Sequence, residues 1–124
     1  KEYIDLEVFG VSNEFSQVII NFLQNSAHAF NKKNIENKEI IISIKQVTIE
    51  SQEFAQVTFS DNARGVDENT LDKIFEPYFT TKHQSNGTGL GLFMSKLIIE
   101  KSLNGTMFAK NSNKGLIFTI NIPL

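Results

Sequence analysis

Three of the chain's seven glycines fall within five positions, in the stretch Asn86-Gly87-Thr88-Gly89-Leu90-Gly91-Leu92. Directly behind them comes an apolar run at helical spacing, from Leu92 through Met94, Leu97, Ile98 and Ile99. No other stretch restricts the fold so tightly. Glycine lets the backbone take positive φ and come close to a ligand. A helix that starts there offers unpaired N–H groups and the positive end of its dipole. A Gly-rich turn feeding a helix is thus a ready anion site. Alone, such a stretch is equally a flexible turn, so the remaining residues decide what it is for.

At 124 residues, 40% hydrophobic and 21% charged, the chain reads as one globular domain with a sizeable core. The net charge of −2 leaves no electrostatic footprint for nucleic acid. A polyphosphate would have to be met locally, by backbone N–H groups, a metal and a few cations. The absence of cysteine excludes disulfides and thiol chemistry, and fits a reducing compartment. The longest apolar run, Ile40-Ile41-Ile42, is far too short to span a bilayer. The first residue is Lys1 rather than Met, which reads as a domain excised from a longer protein.

Periodicity divides the chain into eight elements. Ile4, Leu6 and Val8 alternate with Asp5 and Glu7, which predicts a strand over Tyr3 to Phe9, ended by Gly10. Ser12 or Asn13 is expected to cap a helix over Glu14 to Phe30, with Phe15, Val18, Ile19, Phe22 and Leu23 as its core stripe. Gln17, Asn21, Asn25 and His28 form a polar stripe beside it. Glu39 to Glu50 and Phe54 to Ser60 read as a hairpin turning at Ser51 to Glu53. Asp61-Asn62-Ala63-Arg64-Gly65 stops the second strand. Asp67 is placed to cap a short helix over Glu68 to Phe75, before Pro77. A helix over Leu90 to Leu103 follows, with Gly105 as its expected left-handed terminator. Thr106 to Asn111 and Leu116 to Ile122 close the chain as a hairpin around Asn113-Lys114-Gly115. One strand–helix–strand unit among hairpins predicts an α/β fold, a two-layer α/β sandwich whose mixed, mostly antiparallel sheet carries its helices on one face.

Four of these pieces have a chemical task if the ligand is Mg-ATP. Asn25, with Asn21 one turn before it, offers neutral amide oxygens to a hard cation without repelling the phosphates. Asp61 ends a strand and can accept a hydrogen bond from adenine's amino group, with Gly65 letting the backbone pass close to a flat ring. Lys82 lies in a Ser- and Gly-bounded segment suited to reach a terminal phosphate. His28, one turn beyond Asn25, is within reach of a phosphate, whereas His83 carries no catalytic assignment. Each piece has an ordinary reading too: solvated helix asparagines, an Asp-Asn turn, a surface lysine.

Taken together they form a specific pattern. Gln17 to Ala27 resembles the N box of sensor histidine kinases, Asp61 to Gly65 the G1 box, Ile74 to Lys82 the F box and Gly87 to Leu92 the G2 box. Nearly the whole chain resembles the ATP-binding catalytic domain of such a kinase, in the family whose Bergerat-type fold is shared with gyrase, mismatch-repair and heat-shock-chaperone ATPases. The resemblance implies that Asn25 binds Mg²⁺, that Asn21 is a second ligand or holds its water, and that Asp61 takes the adenine amino group. It assigns phosphate contacts to Lys82, Gly87, Thr88, Gly89, Leu90 and Gly91, and an ATP lid to about residues 66–86. It also implies phosphotransfer to a histidine on an upstream dimerisation domain, a response regulator receiver domain downstream, a cytoplasmic site and no direct membrane contact. The excised domain would be inactive as a kinase by itself. Ala63 replaces a frequent glycine, and Leu116 replaces a frequent threonine, so one polar adenine contact is expected to be lost. Hydrolysing relatives carry a Glu where this chain has Asn21, which predicts that ATP is held rather than rapidly hydrolysed. The alternatives are a chaperone- or gyrase-type ATPase, and an interaction domain that has lost its nucleotide.

Overall fold

A computed structural model describes residues 6–8, 10–79 and 90–124. Helix α1 spans Ser12–Lys33, and strands β1 (Ile40–Ile49) and β2 (Gln52–Asp61) follow as a hairpin. A single turn, α2 (Glu68–Leu71), precedes helix α3 (Gly91–Leu97), which runs on into a π-helical turn over Ile98–Ser102. Strands β3 (Thr106–Asn111) and β4 (Leu116–Pro123) end the chain. The sheet order is β1-β2-β4-β3, and every pairing among the described residues is antiparallel. The strand expected over Tyr3 to Phe9 falls mostly outside the described residues, and Leu6, Glu7 and Val8 have no strand pairing.

The core lies between the helices and one face of the sheet, as the period-2 pattern dictates. On β2 it takes Ala55, Val57 and Phe59; the partners of these on β4 are Ile122, Ile120 and Phe118, all buried. Val18 and Phe22 of α1, with Ile99 and Leu103, close onto that face. Phe22 stacks on Phe118 at 4.5 Å and tilts against Phe59 at 5.2 Å. This interlocking of rings fixes α1 over the centre of the sheet. The opposite face is mixed, with Ile41, Phe54, Phe108 and Ile117 among polar residues, and it holds the buried pair Thr119 and Asn121, the latter accepting from Gln56 at 3.0 Å.

Several local expectations are corrected. The N-cap of α1 is Val11, with no side-chain cap; its carbonyl accepts from the Glu14 and Phe15 amides instead. The helix continues past Phe30 to Lys33 and stops at Asn34, which is left-handed at φ 53. Its buried ridge runs by fours, Val18, Phe22, Ser26, Phe30, whereas Leu23 is 41% exposed. The β1–β2 turn is the two-residue Glu50–Ser51, both at positive φ, as a type I′ turn requires. Helix α2 ends at Leu71 rather than Phe75, because three-residue turns take over: Lys73 donates to Thr70 and Glu76 to Lys73. The left-handed terminator after the last helix is Asn104 at φ 54, not Gly105. Gly105 is small for another reason: a Cβ there would lie 2.4 Å from the Asn121 carbonyl oxygen.

Candidate functional site

Asp61 closes β2 with its side chain on the helix side of the sheet, 7% exposed. Three donors hold its carboxylate. Oδ1 accepts from the Ala63 amide at 3.0 Å and the Leu116 amide at 3.3 Å, and Oδ2 accepts from the Ser26 hydroxyl at 2.8 Å. A carboxylate has about four acceptor positions, so one on Oδ2 remains for a ligand donor. Gly115 makes this approach feasible, since a Cβ there would sit 2.1 Å from the Asp61 carbonyl oxygen. The Leu116 side chain is buried, and it is the Leu116 backbone that serves Asp61.

The turn after Asp61 is anchored on every side. Asn62 accepts from the Glu39 amide and donates to the Asn37 carbonyl. Ala63 is buried, so the methyl group is accommodated within the fold. The Arg64 amide donates to the Lys114 carbonyl at 2.9 Å. Gly65 is left-handed at φ 69, and a Cβ there would meet Asn111 Oδ1 at 2.4 Å. The space that a Cβ at Gly65 would take is filled by Asn111. Asn111 accepts from the Val66 amide at 3.0 Å and donates to the Val66 carbonyl and to Glu68. Asp67 caps α2 by accepting from the Thr70 amide at 2.7 Å, and these local donors hold its carboxyl below the ordinary value.

The polar stripe of α1 points at the end of the Gly-rich stretch. Asn21 Nδ2 donates to the Gly91 carbonyl at 3.0 Å and to the Ser95 hydroxyl at 2.9 Å, and its Oδ1 accepts from Gln17. One turn on, Asn25 is half-buried and its amide has no hydrogen bond to another described residue. His28 is half-buried on the same stripe. Leu90 is the N-cap of α3 and Gly91 its first residue. Lys82, Gly87, Thr88 and Gly89 lie outside the described residues, as does His83.

One helix thus touches both remote pieces. Asn21 ties α1 to Gly91, and Ser26, next to Asn25, ties it to Asp61. Five residues of helix separate the ties by about 7.5 Å along the axis. Sequence reasoning missed Ser26, Lys33 and Asn111. Ser26 adjoins Asn25 on the buried side of α1; Lys33 and Asn111 carry no motif and become visible only through tertiary contacts. Among the described residues no group of three acidic, His or Cys side chains is arranged to hold a metal alone. The donor set suits Mg²⁺ delivered with phosphates, which needs few protein oxygens.

A profile of the "Histidine kinase-, DNA gyrase B-, and HSP90-like ATPase" family matches residues 10–124. Two-component sensor PprA of Pseudomonas aeruginosa is 32% identical over 118 residues, covering 94% of this chain and 12% of that protein. Sporulation kinase E of Bacillus subtilis is 32% identical over 112 residues, 90% of this chain and 14% of that one. The chain therefore spans a small part of these curated relatives. Among solved structures, the nucleotide-free catalytic domain of histidine kinase ThkA superposes with a TM-score of 0.74 at 30% identity, over 96% of this chain and 71% of that one. The mycobacterial sensor histidine kinase MprB, at 21% identity and a TM-score of 0.69 over 94% and 74%, shares the fold.

Proposed function

The chain belongs to the histidine kinase-, DNA gyrase B- and HSP90-like ATPase family, as the catalytic domain of a sensor histidine kinase, and on that premise we propose that it holds Mg-ATP between α1, the Asp61 turn and the Gly-rich stretch. The observation that carries this reading is the double tie of α1, to Gly91 and to Asp61. Asp61 accepts the adenine amino group on its remaining position. The Gly-rich stretch meets the phosphates at the start of α3, with Lys82 as the cation at their far end. Asn25 offers the amide oxygen to Mg²⁺. Asn21 has one oxygen lone pair left after Gln17, which suits a metal-bound water. His28, one turn beyond Asn25 on the same stripe, is assigned a phosphate contact. When bound, Mg²⁺ would offset the phosphate charge.

Phosphoryl transfer is mainly positioning and charge stabilisation. An amide at position 21 takes no proton, so the site retains ATP for an acceptor rather than activating water. That acceptor is a histidine on a dimerisation domain of the parent protein, with a response regulator receiver domain next in the relay. Titration of the chain with ADP, with and without Mg²⁺, tests the reading. Affinity is expected to depend on Mg²⁺, to lose that dependence in Asn25→Ala, and to fall at least tenfold, about one charged hydrogen bond, in Asp61→Asn. A folded Asp61→Asn that binds ADP as the parent does would overturn the adenine assignment.

A further inference from the structure

The backbone after Asp61 turns through two successive left-handed residues, Arg64 at φ 68 and Gly65 at φ 69. A non-glycine residue in that region costs about 1–2 kcal/mol, so the turn needs support from outside itself. The Arg64 amide is held by the Lys114 carbonyl, and the carbonyls on either side of it are held by the last turn of α1. Lys33 Nζ donates to the Ala63 carbonyl at 2.7 Å and to the Gly65 carbonyl at 2.5 Å. Among the described residues no other side chain donates to these two oxygens. The carbonyls on either side of Arg64 therefore converge on one ammonium group.

Lys33 also stands within the field of Asp61 without pairing to it. Among the described residues the ion pair present is Lys96–Glu100, on α3 and the turn after it. Lys33 so offsets part of the buried carboxylate's charge while leaving the open position on Oδ2 untouched. Burial lowers the pKa of Lys33, and the nearby Asp61 charge works against that lowering. Beyond Gly65 a second clamp takes over, since Asn111 holds both the amide and the carbonyl of Val66.

We propose that Lys33 is a positioning residue for base recognition: by bridging the Ala63 and Gly65 carbonyls it sets the turn in which Asp61 meets the adenine amino group. This rests on the reading of Asp61 as the adenine acceptor. The device lies at the helix end remote from the Gly-rich stretch, so it acts on the base and leaves the phosphates alone.

Two variants of the 124-residue chain test it. Lys33→Met keeps a long apolar stem and removes every donor; Lys33→Arg keeps charge and donors. Dissociation constants are measured for ADP, AMP and GDP, and amide hydrogen exchange is followed without nucleotide. In Lys33→Met, ADP and AMP are expected to weaken by the same factor, about tenfold, the size of one charge-assisted hydrogen bond. The preference for ADP over GDP shrinks, amides of residues 62–66 exchange faster, and those of β2 and β4 keep their protection. Lys33→Arg recovers most of the affinity. Unchanged affinity and unchanged base preference in Lys33→Met, with the parent binding ADP, would overturn this inference alone. Loss of protection throughout β2 and β4 would make Lys33 a general prop and overturn it too. A parent chain indifferent to ADP and AMP removes the reading of Asp61, and this inference with it.

Discussion

Asp61 accepts from three separate segments, so its neighbours are as informative as the carboxylate itself. Ser26 is fully buried and donates to Oδ2. Ser26→Ala deletes a hydrogen bond to a charged group, and a loss of about 1–3 kcal/mol is expected by urea denaturation. ADP affinity should fall as well, because Oδ2 loses the donor that orients it. Gly115 is more restrictive. A methyl group there would strike the Asp61 backbone, which has no rotamer to yield. Gly115→Ala is expected to cost at least about 2 kcal/mol in the same measurement. A Gly115→Ala variant as stable as the parent would show that the contact relaxes.

At the scale of elements, the hairpins were legible from strand-forming composition broken by turn formers, whereas the inward set Ala55, Val57 and Phe59 emerges only once the strands are paired. The core stripe of α1 was legible up to Phe22. Its drift onto Ser26 and Phe30 was not, since a Ser on a buried ridge reads as polar until its partner, Asp61, is known. The caps divided in the same way. Asp67 caps α2 as expected, because that signal is local. Ser12 and Asn13 do not cap α1, because a backbone carbonyl, Val11, takes the first amides. Likewise Gly105 read as a terminator, although Asn104 takes the left-handed position and Gly105 answers to a distant carbonyl. In the described part of the four boxes the fold brings Asn21 beside Gly91 and Asp61 beside Ser26. The clamps Lys33 and Asn111 depend on contacts thirty or more residues away in sequence, which no local pattern encodes. The α2 cap gives a pH prediction. The Asp67 pKa is lowered in the folded chain, so the cap's contribution is complete above the ordinary carboxylate range and is lost as pH falls through the lowered value. Protection of the Thr70 amide from exchange should therefore decline below about pH 4, while β4 amides stay protected.

The molecule as a whole carries one exposed liability and one fixed dimension. Among the described residues strand β1 is an edge, with Ile41, Ile42 and Ile44 at 51%, 48% and 52% exposure. Ile42 and Ile44 pair with Phe59 and Val57 and so face the helix side, where no described residue covers them. Long apolar edges template further pairing. The chain is expected to self-associate at high concentration, and Ile42→Lys with Ile44→Lys should restore a monomer in sedimentation; a parent that sediments as a monomer throughout would refute this. The fixed dimension is the interval from Asn21 to Ser26. A residue inserted there would swing the second tie around the axis by about 100°, away from Asp61. In the connection over residues 34–39, Asn37 and Glu39 are held by Asn62, but Glu36 lies between those contacts and the helix cap and is under no such rule, so the chain is free to lengthen there. Descent within such chains should accordingly leave that span of α1 at constant length while neighbouring connections drift, as a calliper keeps its gap however its handles are reshaped.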